Sequence, residues 1–165
     1  MDIVLLILAT GLAMFTHEFG HLVAAKSCGV PVSELSLGFG PKLVGVRIRK
    51  IRYSLRLIPL GSYVMLEGTV LKSKPVREQL NVHLGGIAFN LIAALITYGT
   101  IFCWINILLA AGNLLPLYQH DGWKCGRVLV RAWLRRQSQR AEWAFTFSGG
   151  FVSLVIGWLV IRMFV

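Results

Sequence analysis

The sequence predicts an α-helical polytopic membrane protein of about four transmembrane helices, with a membrane-associated β-hairpin or small sheet on its cytoplasmic side. Three observations lead there. The 165 residues are 56% hydrophobic, with a mean hydropathy of +0.68, and a soluble domain is rarely this apolar throughout. Four long apolar stretches recur along the chain. The basic residues fall in two blocks between them. Of the 17 Lys+Arg, ten lie between Lys26 and Arg77 and six between Lys124 and Arg140, leaving only Arg162 outside. This is the positive-inside pattern, so both blocks are expected to face the cytoplasm. A net charge of +10 also suits nucleic acid, but charge confined between apolar spans points to a lipid bilayer and to no nucleic-acid partner.

The spans follow in order, within one membrane-embedded domain over 1–165. The first runs from Ile3 to Ala25. Only Asp2 and no basic residue precedes it, so it does not read as a cleaved signal peptide. The second, about 82–98, and the third, about 101–134, are separated by a tight turn near Tyr98–Thr100. The fourth is about 143–165. With cytoplasmic basic blocks, the N-terminus lies outside. Gly86, Asn90 and Ala94 in the second span, and Gly149, Ser153 and Gly157 in the fourth, are small residues at four-residue spacing, which lets helices pack closely in lipid. Asn90 then faces the bundle interior. The β-rich segment is about 32–68. Leu43–Arg49 and Ile51–Ile58 alternate apolar and basic residues, and Pro59–Val64 reads as a turn and a further short strand. Its Arg side chains suit lipid headgroups, and a sheet edge around Arg47–Leu57 would suit an extended peptide; composition leaves both open. The amphipathic Arg131, Arg135, Arg136 and Arg140 suit anionic lipid. Cys28, Cys103 and Cys125 show no paired spacing and imply no disulfide framework.

The chemistry lies in the first span. His17-Glu18-Phe19-Gly20-His21 is a His-Glu-x-x-His sequence. On a helix its histidines sit one turn apart on one face, which suits two imidazoles on one Zn²⁺ with Glu18 as the base. Ionisable residues are costly inside a membrane unless they have partners and a purpose. Zinc needs a third protein ligand and an open position. The candidates are His83, His120, Asp121, Glu34, Glu67, Glu78, Glu142 and the three cysteines. Pro116 and Gly122 would break a membrane helix around Asp121, and broken helices line binding sites in membranes. Asp121 is therefore the best third ligand, with an ordinary helix-capping Asp as the alternative.

At this point the chain resembles the site-2 protease family of intramembrane zinc metalloproteases. His17–His21 matches the first family motif. Asn113-Leu114-Leu115-Pro116-Leu117-Tyr118-Gln119-His120-Asp121-Gly122 matches Asn-x-x-Pro-x-Pro-x-Leu-Asp-Gly in register. Phe39–Leu43, Pro59–Val64 and Gly85–Asn90 resemble the segments between. The resemblance implies a three-helix catalytic core, with His17, His21 and Asp121 as zinc ligands and Glu18 as catalytic base. It implies Asn90 and Asn113 as substrate-binding residues, and a substrate that is itself a transmembrane segment. The expected setting is a multi-pass protein of a bacterial inner membrane, with its active site near the cytoplasmic side. Tyr118 replaces the second Pro, His120 the Leu, Trp123 a Gly after the motif and Ser62 a Gly of the strand turn. None removes a ligand, though His120 could compete for the metal. The PDZ domain of some relatives is absent, as in a minimal form. The rival readings are a catalytically inactive relative that acts as a membrane-helix scaffold or chaperone, and a small basic pore or assembly factor with an accidental motif.

Overall fold

The computed structural model describes residues 3–134 and 139–164; Arg135 and Arg136 of the basic stretch lie outside them. The chain is mostly helical with a small sheet. Its elements are α1 (Ile3–Ser27), β1 (Val32–Ile48), β2 (Ile51–Leu66), α2 (Gly68–Ser73), α3 (Val76–Ile96), α4 (Ile101–Leu114), α5 (Asp121–Trp133) and α6 (Gln139–Phe164). It divides into two compact units, Met1–Ala111 and Gly112–Val165.

In the first unit, α1 and α3 are long and apolar enough to cross a membrane. The α1 helix ends where glycine permits a left-handed residue. Gly29 has φ 65°, its N–H bonds the Lys26 carbonyl, and the Val30 N–H bonds the Ala25 carbonyl. This Schellman pair satisfies the last carbonyls and tucks Val30 back onto Ala25, both of them in the apolar core. Pro31 and Val32 then lead into β1. The core continues through Leu22, Leu35, Ile51, Leu71 and Val82, so it joins the C-terminal half of α1, the sheet, α2 and the start of α3.

The sheet occupies the β-rich segment that its sequence pattern marks. β1 begins at Val32, and β2 runs through Pro59 without a break in the strand. Lys42–Ile48 against Ile51–Arg56 and Val32–Leu37 against Ser62–Leu66 are in antiparallel register, whereas the partners of Glu34–Leu37 along Arg52–Leu55 rise together, with several register shifts between these stretches. Arg52–Leu55 has partners on both sides: Val44–Arg47 on one and Glu34–Leu37 on the other. Lys42–Ile48 and Ser62–Leu66 each pair on one side and form the two edges. An extended peptide therefore cannot add at Arg52–Leu55, in the middle of the stretch the sequence suggested, because its backbone hydrogen bonds are already taken.

The helices α1 and α3 touch through glycine. A Cβ on Gly20 would run into the Gly85 carbonyl oxygen and lie 2.8 Å from Phe89 Cβ. One on Gly85 would lie 2.7 Å from both Ala24 Cβ and the Gly20 carbonyl oxygen. Backbone thus meets backbone, the close approach that small residues allow between membrane helices.

In the second unit, α5 and α6 meet around Trp123. Its ring stacks on Phe145 at 6.0 Å, meets Tyr118 edge-on at 5.1 Å and carries the Arg127 guanidinium 4.8 Å above it. Gly149 leaves room for the indole, since a Cβ there would lie 2.6 Å from Nε1. Ser153 Oγ donates to the Gly149 carbonyl and accepts the Tyr118 N–H. Gly157 has no such neighbour, so two of the three small α6 positions serve packing.

Gly20→Ala is expected to destabilise the protein by about 1–3 kcal/mol through overpacking. Gly112→Ala, in α4 with nothing within 4 Å of its Cβ position, is expected to be neutral or slightly stabilising. Thermal melting of the two variants in one detergent checks the contrast.

Candidate functional site

The helix α1 carries His17, Glu18 and His21 over little more than one turn, and both histidines are buried. Each imidazole is held by its Nδ1. His17 Nδ1 lies 3.1 Å from Asn90 Oδ1, and His21 Nδ1 lies 2.7 Å from the Val82 carbonyl oxygen. Both partners sit on α3. A carbonyl oxygen only accepts, so His21 must donate from Nδ1, which leaves its Nε2 with a lone pair. Donation to Asn90 Oδ1 sets His17 the same way. The two Nε2 atoms then face each other at 3.2 Å.

Those residues fit a metal ion on three counts. Ligating imidazoles characteristically donate their other N–H to a carbonyl or carboxamide oxygen, as both do here. Zn–N bonds of about 2.0–2.1 Å in a tetrahedron put two nitrogens roughly 3.3 Å apart, close to the separation found. Gly86 faces the pair, and a Cβ there would lie 2.6 Å from His21 Nε2 and 2.7 Å from His17 Nε2. Gly86 and Asn90, two members of the α3 row read from the sequence as helix packing, therefore wall this site. Asn90, expected to bind substrate, is fully buried with Oδ1 on His17. Its Nδ2 has no hydrogen-bond partner among the described residues. The Val82 carbonyl is the partner that residue types could not reveal, since any residue supplies one.

Glu18 is half-buried. Its Oε2 accepts the backbone N–H of Val64 at 3.0 Å. Val64 lies on the Ser62–Leu66 edge, so this edge runs beside Glu18. The edge is held by a polar cluster inside the sheet. Glu34 Oε1 accepts Ser54 Oγ at 2.5 Å and Tyr63 Oη at 2.9 Å, with Arg56 Nη2 at 3.6 Å. Arg56 also donates to Tyr63 Oη at 2.8 Å, Ser36 Oγ at 3.0 Å and the Gly40 carbonyl at 3.0 Å. The Ser54 hydrogen bond, chiefly, holds the Glu34 carboxyl below the usual carboxylate range. Burial opposes this, while Tyr63, Arg52 and Arg56 add to it.

In the second unit, Asp121 opens α5 and is 2% exposed. Its Oδ1 accepts Lys124 Nζ at 2.9 Å. Between α4 and α5 the chain is not helical. Gln119 takes φ 74°, and Gly122 sits so close to the Leu114 carbonyl that a Cβ would collide with it. The break expected around Pro116 and Gly122 thus lies over residues 115–120. His120 precedes α5 with Nδ1 3.3 Å from the Tyr118 carbonyl oxygen. Asn113 lies in the last turn of α4. Of the other ligand candidates, Glu34 is engaged inside the sheet, Glu67 accepts Thr69 Oγ1 and Glu78 pairs with Lys74. Asn106 went unread in the sequence. It is fully buried in α4, donates to the Phe102 carbonyl and keeps Oδ1 without a partner among the described residues.

Comparison with known proteins places these residues in a family context. Residues 5–103 match peptidase family M50. A Clostridium acetobutylicum protein named "Putative zinc metalloprotease" is 36% identical over a match covering 79% of this chain. Proteins of the same name from Fusobacterium nucleatum and Staphylococcus aureus are 36% and 35% identical over 58% and 51% of it. The chain spans 42%, 31% and 20% of the length of these three relatives.

Asn90→Ala frees the His17 ring and is expected to weaken zinc binding about 10–100-fold, read by competition with a chromophoric chelator. Glu34→Gln tests the sheet cluster. Because the folded carboxyl titrates below its unfolded value of about 4.3, its contribution is fully present above that value and is lost as pH falls through the lower folded one. The melting-temperature gap between wild type and Glu34→Gln should stay constant from neutral pH to about 5 and close below about 4.

Proposed function

The chain belongs to peptidase family M50, the site-2 protease family, and we propose that it is an intramembrane zinc endopeptidase cutting transmembrane segments of other membrane proteins. The observation that carries this reading is the buried His17–His21 pair, with both Nδ1 atoms engaged and both Nε2 atoms turned to one point against Gly86. Family members are membrane proteases, and the relatives' names imply zinc as the metal. Asp121 is proposed as the third ligand. Its support is its burial, its place at the start of α5 after a broken stretch and its match to the second family motif.

Zn²⁺, when bound, supplies a Lewis acid that acidifies water and polarises the scissile carbonyl. Glu18 is the general base: its carboxylate takes the proton of the attacking water and passes it to the leaving amide nitrogen. The Val64 N–H on Oε2 helps to orient this carboxylate. Asn90 holds the His17 ring through Oδ1 and can offer Nδ2 to a substrate oxygen. Asn113 is proposed as a second substrate-binding residue on its motif position alone. A helical amide is shielded by its own hydrogen bonds, so the substrate must unwind locally. Of the two sheet edges, Ser62–Leu66 is the one beside Glu18, and it is the proposed support for the unwound segment, in place of Arg47–Leu57.

The proposed frame is a single membrane-embedded domain of four spans in a bacterial inner membrane, N-terminus outside and site near the cytoplasmic face. α1 and α3 supply two spans. The 14 residues of α4 rise only about 21 Å, so the third span would continue through the break into α5. Regulated intramembrane proteolysis and removal of signal-peptide remnants both fit such a substrate. A catalytically inactive scaffold is not favoured, because helix binding alone has no use for Glu18 beside the metal pair.

Glu18→Gln is expected to keep its zinc and to lose cleavage by about 10²–10⁴-fold, measured by comparing membrane-protein fragments in cells carrying wild type or variant. Identical fragments from both would sink the protease reading, and zinc-free purified wild type would sink the metal site. Ser62→Pro removes an N–H that, two residues from Val64, faces outward on the same edge. Cleavage should fall with zinc content unchanged; unaffected cleavage would reject strand pairing at that edge.

A further inference from the structure

The first unit has a basic hollow lined by neither histidine, where the end of α1 meets the turn between β1 and β2. It measures about 630 Å³, and its lining includes Lys26, Arg49 and Lys50 together with Val30, Ile51 and Tyr53. No acidic side chain contributes to the lining. Lys26 comes from the last turn of α1. Arg49 and Lys50 form the tight turn that joins Ile48 to its partner Ile51, with Arg49 in the left-handed region at φ 55°. None of the three cationic groups has an ion pair or side-chain hydrogen bond among the described residues, whereas Arg56, Lys74 and Lys124 are all paired with carboxylates. The carbonyls at the α1 terminus, which would otherwise repel an anion, are satisfied by the Gly29 and Val30 N–H groups.

We infer that this hollow binds the phosphate headgroup of an anionic phospholipid. Three uncommitted cations around one concavity attract a phosphodiester, whose charge is of opposite sign. The apolar lining that stays accessible, exposed Ile48 with half-buried Tyr53, suits the glycerol and first methylenes rather than a free ion. On β1, leading into the Arg49–Lys50 turn, Val44, Val46 and Ile48 are all more than half exposed, which places an apolar row next to the charged turn. Lys and Arg beside a membrane span draw anionic lipid to the surface, and here the fold gathers three of them. The inference rests on the membrane part of the reading above and is independent of proteolysis.

The test is native mass spectrometry of the full-length protein in detergent, with phosphatidylglycerol and phosphatidylcholine offered together. Wild type should retain one phosphatidylglycerol, and Lys26→Gln/Arg49→Gln/Lys50→Gln should lower that retention at least about tenfold. Lys42→Gln/Arg47→Gln/Lys72→Gln removes the same charge outside the hollow and should leave retention unchanged. Equal loss in both triple variants would mean diffuse charge attraction and overturn the site, as would equal retention of the neutral lipid by wild type. Inorganic phosphate that displaced the lipid at equal concentration would make this a free-anion site and also overturn it. The six substituted side chains lie on the surface, and unchanged melting temperatures check that both variants fold. Neither zinc content nor cleavage enters the readout, so this idea and the protease reading fail separately.

Discussion

The close crossing of α1 on α3 is the constraint on which the rest depends. Glycine at positions 20 and 85 brings two backbones into contact. At that distance the Val82 carbonyl and the Asn90 side chain reach the two imidazoles. A side chain in place of either glycine would push α3 outward, and both hydrogen bonds would lengthen together. The rings would then be free to turn, and their Nε2 atoms would no longer face one point. Gly86 belongs to the same constraint, since it leaves room for a metal ion where a methyl group would stand.

A second dependency links the sheet to Glu18. The carboxylate is oriented by one backbone N–H, on the edge of a two-element sheet that is otherwise exposed over much of its length. Such a sheet has little apolar core of its own. Glu34, Ser54, Tyr63 and Arg56 supply a set of charge-assisted hydrogen bonds instead, and these are stronger and more directional than neutral ones. The polar cluster thus fixes the strand whose Val64 N–H holds Glu18. Polar residues in this membrane protein serve geometry first, and the chemistry follows from it.

Much of this was legible in the sequence. The His-Glu-x-x-His spacing marks the facing histidine pair because 3.6 residues per turn put positions 17 and 21 on one face. Alternation of apolar and basic residues marks the β segment, and Pro116 with Gly122 marks a helix break. Other features were not legible. The small row Gly86, Asn90 and Ala94 reads as packing, since spacing shows which residues share a face but not what that face meets. Arg47–Leu57 reads as an available edge, because strand order within a sheet depends on contacts distant in the chain.

The sequence by itself determined the family, the apolar spans, the helix carrying His-Glu-x-x-His and the motif carrying Asp121. All of these depend on local spacing or on composition. Only the tertiary structure decided which atoms orient the histidines, which strand edge lies beside Glu18 and that the charges at positions 26, 49 and 50 share one hollow. Each of those joins segments tens of residues apart. The partners are often backbone atoms, such as the Val82 carbonyl and the Val64 N–H, which every residue type possesses and no sequence pattern can mark.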